Sequence, residues 1–363
     1  MLSAEVKTLI SSGGLDEKLA YIYACSTADV AGYRERFIKA IESFEGLYGA
    51  DRHISIFSAP GRTEIGGNHT DHQRGRVLAA SVNLDVIAIV SQNPDTKVRI
   101  KSEGHRGDEI DAKNQDVNPS EVNTSRALIR GICARYQQLG YTVGGFDAYT
   151  TSNVLSGSGL SSSAAFEVLL GTMINGMFFG DKLTALQIAQ MGQYAENKYF
   201  GKPCGLMDQA ASSIGSFITI DFEDKENPEV RQINFDFAKS GYALCITDTH
   251  GSHSDLTPDY AAVPAEMRAV AAEFGKEVLR EVDEAEFYAR LPELRGKVSD
   301  RAKLLLRSIW VRHKDVVSQR VVKEIDVLEN ERHPSEKILC RHIADVYAAD
   351  PDRSIVDVVK TRD

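Results

Sequence analysis

The sequence predicts an α+β fold, in which strands and helices mix without the regular alternation of a doubly wound sheet. Two observations favour it: short β-branched or apolar runs and amphipathic runs follow one another irregularly, and no internal repeat is found. A chain of 363 residues is long enough to bury a sizeable core, as two domains or one large one.

The hydrophobic patterns place the elements in order. Helices are predicted over residues 1–50, 120–139, 183–199, 261–279 and 316–329, with a further helix beginning near residue 162. Strands are predicted over residues 52–59, 77–92, 98–102, 146–152, 217–221 and 243–247. The first strand should stop at Pro60 and Gly61. The charged stretch 224–228 interrupts the pattern, so we expect one domain over residues 1–230 and another over residues 231–363.

Composition restricts the class of partner. Hydrophobic residues make up 42% and charged residues 26% of the chain, as is ordinary for a soluble globular protein. The net charge of −10 argues against nucleic acid as the main partner. No signal peptide and no apolar run of roughly 20 residues is found, so we expect no membrane segment. The five cysteines are scattered and lack metal-type spacing, which indicates a reducing, cytoplasmic location.

A loop rich in glycine and serine precedes the helix predicted near residue 162. Its small residues let backbone N–H groups approach an anion, and the helix N-terminus adds partial positive charge. The loop lacks the Gly-Lys-Ser/Thr of a Walker A motif and the third glycine of a dinucleotide fingerprint. It predicts a phosphate cradle, with an ordinary turn before a core helix as the alternative. The cradle residues are Gly157, Ser158, Gly159, Leu160, Ser161, Ser162 and Ser163.

Residues 59–73 form a second dense segment, which places Arg62, Glu64, Asn68, His69, Asp71 and His72 between glycines. So many donors and acceptors on a predicted turn suit a polyhydroxylated ligand such as a sugar. A solvated loop is the alternative. A metal site at the two histidines is disfavoured, because no third ligand is obvious.

Residues 196–212 form the third segment. Glu196 ends a predicted helix, and a turn at Pro203 and Gly205 leads to Asp208 near the start of the next helix. Asp208 is either a helix N-cap or a general base. Glu196 is either a solvated glutamate or a Mg²⁺ ligand. Cys204 is expected to be a small packed residue.

Together, the three segments resemble the galactokinase family of the GHMP small-molecule kinase superfamily. Residues 157–165 resemble the superfamily's phosphate-binding motif, residues 61–71 the galactokinase signature, and residues 203–209 the catalytic-aspartate segment. The resemblance implies an N-terminal domain like domain 2 of ribosomal protein S5, which binds sugar and ATP, and a C-terminal ferredoxin-like domain. It implies transfer of the γ-phosphoryl group of ATP to the anomeric hydroxyl of D-galactose, with galactose and ATP as partners and no obligate protein partner.

The resemblance also implies roles for single residues. Asp208 matches the family's catalytic base, and Arg62 matches the arginine that keeps this carboxylate ionised. The implied sugar contacts are Asn68, His69, Asp71, Gly205 and Tyr260. The implied Mg²⁺ ligands are Ser162 and Glu196, although any serine from 161 to 163 could serve.

The sequence departs from the family pattern in two places. Asn68 stands where the family has Glu, and Glu64 where it has Asn, which indicates a subfamily variant and bears on sugar specificity. The superfamily's third, glycine-rich motif is missing, because no glycine follows Gly296. From about Leu304 the resemblance decays, apart from a helix-like stretch at 320–329. These features suggest a truncated or altered galactokinase with an incomplete C-terminal domain.

Three alternatives remain at this point. The chain could phosphorylate a related sugar, act as a non-catalytic galactose and ATP sensor, or be an α+β binding protein with coincidental motifs. The combination of Arg62, Glu196 and Asp208 favours an enzyme, because a sensor needs no base.

Overall fold

The structure is a computed structural model that describes residues 1–67, 70–154, 157–233, 235, 242–244, 246, 257–294, 297–298 and 358–360. In this part of the chain the α-helices are α1 (Ser3–Ser11), α2 (Asp16–Ile22), α3 (Ala31–Tyr48), α4 (Ser125–Gln138), α5 (Ser162–Phe179), α6 (Ala185–Ala195), α7 (Met207–Ile214), α8 (Thr257–Glu273) and α9 (Glu284–Arg290). The strands are β1 (Ser55–Gly66), β2 (Arg76–Gln92), β3 (Lys97–Ser102), β4 (Gly107–Asp111), β5 (Phe146–Ser152), β6 (Phe217–Asp221), β7 (Glu229–Ile233), β8 (Tyr242–Leu244) and β9 (Val358–Lys360). A π-helical turn, Glu196–Phe200, follows α6.

Contacts divide the chain into two compact units. Unit 1 comprises Met1–Thr63 and Ser81–Gly215, and unit 2 comprises Glu64–Ala80 and Ser216–Asp363. The predicted domain boundary between residues 230 and 231 stays a prediction.

Unit 1 is built around β2, β3, β4 and β5. The second half of β2 pairs antiparallel with β5, β5 pairs parallel with β3, and β3 pairs antiparallel with β4. Alternate residues of β2 enter two different cores: Ile87 and Ile89 pack with α1 to α3, whereas Val86 and Ala88 pack with α4 to α6. Because side chains alternate across a strand, burial on both faces explains why residues 86–90 of β2 are all apolar.

Unit 2 contains the first half of β2, which pairs antiparallel with β6, and β6 pairs antiparallel with β7. β8 pairs antiparallel with β9. A separate apolar cluster joins α8, α9 and the turn between them through Met267, Val270, Leu279 and Phe287. Asp221 at the end of β6 accepts hydrogen bonds from Arg76 and Arg280, which ties this turn to the sheet.

The α+β prediction is confirmed. The strands predicted at 77–92, 146–152 and 217–221 are found with nearly the same bounds. The helix predicted over residues 1–50 is three helices, and the one predicted over 120–139 begins at Ser125. The helix predicted over 261–279 ends at Glu273, and β4 and β7 were missed. β8 overlaps the strand predicted over 243–247, of which residues 245 and 247 lie outside the described residues, as does the helix predicted over 316–329.

The predicted end of the first strand is wrong. β1 continues through Pro60 and Gly61 to Gly66. The Arg62 amide donates to the Leu160 carbonyl (3.1 Å), and the Pro60 carbonyl accepts from the Ser212 hydroxyl (2.7 Å). These tertiary hydrogen bonds hold an extended chain where the local sequence predicted a turn.

Helix α5 passes a length and hydropathy test for a membrane span, the one described helix that does so. Its apolar side chains nevertheless lie in the core of unit 1, where Leu169, Leu170 and Met173 are fully buried. Burial in that core accounts for the apolar composition of α5.

Candidate active site

Arg62 and Asp208 form a bidentate ion pair within unit 1. Arg62 Nε donates to Asp208 Oδ1 and Arg62 Nη2 to Asp208 Oδ2, both at 2.7 Å. Arg62 Nη1 donates to the Gly159 carbonyl at 2.6 Å, so the guanidinium joins the carboxylate to the glycine-serine loop. The guanidinium is buried, whereas 28% of the Asp208 side chain is exposed. Planar bidentate pairing fixes the orientation of a carboxylate more tightly than a single contact would.

Two different elements position this pair. Arg62 projects from β1, and Asp208 is the second residue of α7, where the helix dipole favours a negative charge. The pair therefore depends on tertiary structure, because 146 residues separate its members in the sequence.

The loop before α5 alternates its backbone conformation. Gly157 (φ 75°), Gly159 (φ 78°) and Ser161 (φ 54°) are left-handed, and the residues between them are not. Such alternation turns successive N–H groups toward one concave side, which forms an anion-binding nest. A nest of this kind suits an anion, and the phosphate cradle at residues 157–163 stays a prediction.

The three serines of the loop have different surroundings. The Ser161 hydroxyl donates to Asp208 Oδ2, which links the loop directly to the ion pair. Ser162 and Ser163 open α5, and their hydroxyls make no hydrogen bond within the described part of the chain. Of the three, Ser162 and Ser163 thus keep hydroxyls that can bind a metal ion or a phosphate.

A buried acidic cluster lies next to Asp208. Gln209 Nε2 donates to Glu167 Oε2 and to Glu196 Oε2, both at 3.0 Å. Both carboxylates are buried, and Glu167 is fully so. Burial, followed by the negative charge of Glu196, raises the pKa of Glu167 well above its usual value. Glu167 Oε1 and Gln209 Oε1 have no hydrogen-bond partner within the described residues.

Lys202 and Cys204 complete this cluster. Lys202 Nζ lies 3.3 Å from Glu196 Oε1, and 46% of its side chain is exposed. Burial and the nearby Glu196 carboxylate raise the pKa of the Cys204 thiol. A protonated thiol is a poor nucleophile, which agrees with the expectation of a packed residue.

The predicted Mg²⁺ ligands offer the oxygen donors that this ion prefers. Glu196 supplies a buried carboxylate and Ser162 a hydroxyl at the start of α5. No group of three or more His, Cys, Asp or Glu side chains suited to a metal is found in the described residues. The two residues fit an ion that takes its remaining ligands from nucleotide phosphates and water.

The predicted sugar contacts are distributed over both units. Asn68 and His69 lie outside the described residues, and so does the side chain of Tyr260 in α8. Gly205 lies in unit 1, in the turn before α7. Asp71 lies in unit 2, where its carboxylate accepts from the His72 amide (3.0 Å). His72 Nε2 contacts the Met267 sulfur at 3.2 Å.

Sequence reasoning missed Glu167, Gln209 and Lys202. Glu167 had a detectable signal, since it is the one acidic residue in the apolar run of α5. Gln209 and Lys202 had none, because their importance comes from contacts with Glu196.

The chain is similar to known proteins. Residues 126–216 match the family model of the GHMP kinases N-terminal domain, and residues 42–92 match the galactokinase galactose-binding signature. A galactokinase of Streptomyces coelicolor is 33% identical over 289 residues, which covers 80% of this chain and 72% of that protein. A galactokinase of Actinobacillus pleuropneumoniae serotype 3 is 31% identical over 300 residues, covering 80% of this chain and 73% of that protein.

A solved structure has the same fold. The crystal structure of Lactococcus lactis galactokinase complexed with galactose superposes with a TM-score of 0.64 at 23% identity, covering 79% of this chain and 73% of that one. These two galactokinases are more than 30% identical to this chain over more than two thirds of their own length. Both family models agree with this relationship. The chain therefore belongs to the galactokinase family of the GHMP kinases.

Proposed function

We propose that this chain transfers the γ-phosphoryl group of ATP to the anomeric hydroxyl of D-galactose and so forms galactose 1-phosphate. Membership in the galactokinase family and the galactose-binding signature support this reaction. The observation that carries the proposal is the bidentate pair of Arg62 and Asp208, joined through Ser161 to the phosphate loop.

Asp208 acts as the base in this proposal. Its carboxylate accepts the proton of the anomeric hydroxyl as that oxygen bonds to the γ-phosphorus, while the bond to the β,γ-bridging oxygen breaks and ADP leaves. Arg62 holds both carboxylate oxygens, so the base presents one orientation to the sugar. The same guanidinium offers positive charge beside the developing negative charge of the transferred group. Positioning and charge neutralisation are the main demands of phosphoryl transfer.

The loop of residues 157–163 binds the ATP phosphates through its backbone N–H groups and the N-terminus of α5. Ser162 and Glu196 hold Mg²⁺ in this proposal, and the bound ion would neutralise phosphate charge. The sugar contacts at Asn68, His69, Asp71, Gly205 and Tyr260 stay predictions. A cytoplasmic location is also proposed, supported by the free thiols of Cys25, Cys133 and Cys204.

A coupled assay of ADP release with galactose, ATP and Mg²⁺, run beside Asp208→Asn, tests the proposal. We expect turnover that needs galactose and falls by at least about a hundredfold in the variant, as loss of a general base predicts. A well-folded wild type that binds galactose without turnover would instead indicate a sensor or an inactive enzyme. Faster turnover with another sugar would correct the substrate.

A further inference from the structure

The two oxygens of Glu196 face different partners. Oε2 lies 3.0 Å from Nε2 of Gln209, a side chain that is almost fully buried. Oε1 lies 3.3 Å from Nζ of Lys202, whose side chain is 46% exposed. Glu196 itself is buried, and Oε1 is the oxygen that contacts a half-exposed side chain.

Lys202 supplies a positive charge beside the buried carboxylate of Glu196. Arg62 already pairs with Asp208, and Gln209 donates to Glu167 and Glu196 without adding charge. Among the described residues, the Lys202 ammonium is the cation that forms an ion pair with Glu196. Buried carboxylates need a counter-charge or a shift toward the neutral form.

A divalent ion bound by Glu196 has to share the position of this ammonium. Oε2 already accepts a hydrogen bond from the buried Gln209 amide, so Oε1 is the oxygen that we assign to the metal. Two cations at one carboxylate oxygen repel each other, and the strength of that repulsion depends on exposure and salt. Lysine is a compact charge on a flexible stem, so it can leave the carboxylate.

We propose that Lys202 is a resident counter-ion of Glu196, which the nucleotide-bound divalent ion has to displace, and that it thereby sets the divalent-ion concentration the enzyme requires. The inference rests on the proposed function, in which Glu196 is a metal ligand. It assigns Lys202 a positioning role, since the side chain acts on the metal through Glu196.

The test is a Mn²⁺ titration followed by the electron paramagnetic resonance of free Mn²⁺, with saturating ADP and the full chain. Lys202→Met removes the charge and keeps the length, and Lys202→Arg is the matched control that keeps the charge. We expect Lys202→Met to bind Mn²⁺ about threefold to tenfold more tightly, as removal of a half-exposed like charge predicts. Lys202→Arg should stay close to wild type, and the difference should shrink as salt concentration rises.

Unchanged or weaker Mn²⁺ binding by Lys202→Met would overturn the inference. Lys202→Gln serves as a second neutral variant in case the methionine perturbs folding, which a thermal melt reports. The Glu196→Gln variant distinguishes failure of the inference about Lys202 from failure of the metal assignment. If it loses Mn²⁺ binding while the lysine variants are unchanged, only the inference fails. If it binds Mn²⁺ as wild type does, Glu196 is not a ligand, and both the metal assignment and the inference fail.

Discussion

Among single residues, Arg62 has the most specific geometry in the described site. Its three donor nitrogens reach two carboxylate oxygens of Asp208 and one loop carbonyl. A lysine has one flexible ammonium and cannot reproduce this fork. The arginine therefore does more than supply a positive charge.

We predict that Arg62→Lys lowers kcat by about a hundredfold, because Asp208 loses its fixed orientation while most of the charge is kept. Steady-state kinetics with galactose and ATP measure kcat for the wild type and the variant. Arg52→Lys is the control, since Arg52 pairs with Asp147 away from the loop and should change stability rather than kcat. A kcat within threefold of wild type in Arg62→Lys would show that charge alone suffices.

Gln209 is the second residue whose contacts decide its role. Its amide nitrogen is the donor shared by two buried carboxylates. Removal of this shared donor leaves two buried carboxylates without their amide partner, which lowers the free energy of unfolding.

We predict that Gln209→Met lowers the free energy of unfolding by about 2–4 kcal/mol, because both carboxylates lose their amide donor. In the Gln209→Met background, Glu167→Gln should raise the free energy of unfolding by more than it does in wild type, because it then replaces a carboxyl that has lost its amide donor. Urea denaturation of the single and double variants measures this difference. Additive effects of the two substitutions would mean that the residues do not act as a unit.

At the scale of elements, the backbone of β1 packs directly against the backbone of the glycine-serine loop. A Cβ built on Gly61 would lie 2.9 Å from the Leu160 carbonyl oxygen and 3.0 Å from a Val154 methyl group. The same carbonyl accepts the Arg62 amide. Gly61 is thus required for close approach, and the strand sets the position of the loop.

We predict that Gly61→Ala raises the KM for ATP by about tenfold, because the loop has to shift away from the new methyl group. Gly46→Ala in α3 is the matched control, since nothing lies within 4 Å of its added Cβ. That control should leave KM unchanged and stabilise the helix by about 0.5–1 kcal/mol. A normal KM in Gly61→Ala would show that the loop tolerates displacement.

At the scale of the whole molecule, carboxylates respond to pH in two opposite ways. Hydrogen bonds and nearby cations lower the pKa of several carboxyls: Glu45, Asp95, Glu103, Asp111, Glu121, Asp221 and Asp224. Glu167 has a raised pKa. A lowered folded pKa adds stability above the unfolded pKa, and this stability is lost as pH falls through the folded value. A raised carboxyl pKa costs stability as pH rises above the unfolded value of about 4.3.

We predict opposite effects for two isosteric variants at pH 7. Glu121 forms a bidentate ion pair with Arg130, so Glu121→Gln should lower the free energy of unfolding by about 3 kcal/mol. Glu167→Gln should raise it by about 1 kcal/mol or more, because the amide removes the cost of burying a carboxyl that is ionised in the unfolded chain at this pH. Urea denaturation at pH 7 and pH 4 measures the free energy of unfolding of both variants. The difference of each variant from wild type should be smaller at pH 4. The same sign for both variants would contradict this account.

The sequence by itself determined the strands at β2, β5 and β6, the loop before α5, and the family. These signals are local: alternation, glycine and serine at fixed spacing, and three motifs in order. It also singled out Arg62 and Asp208, but it related them to each other only through the resemblance, since no local rule pairs residues so far apart.

Only the tertiary structure decided how these residues act. It carried β1 through Pro60 and Gly61, because hydrogen bonds to Leu160 and Ser212 outweigh the local turn preference. It also placed Glu167, Gln209 and Lys202 around Glu196. Whether a carboxylate is buried, and which donor or cation it meets, depends on segments brought together from distant parts of the chain, so no sequence pattern specifies it.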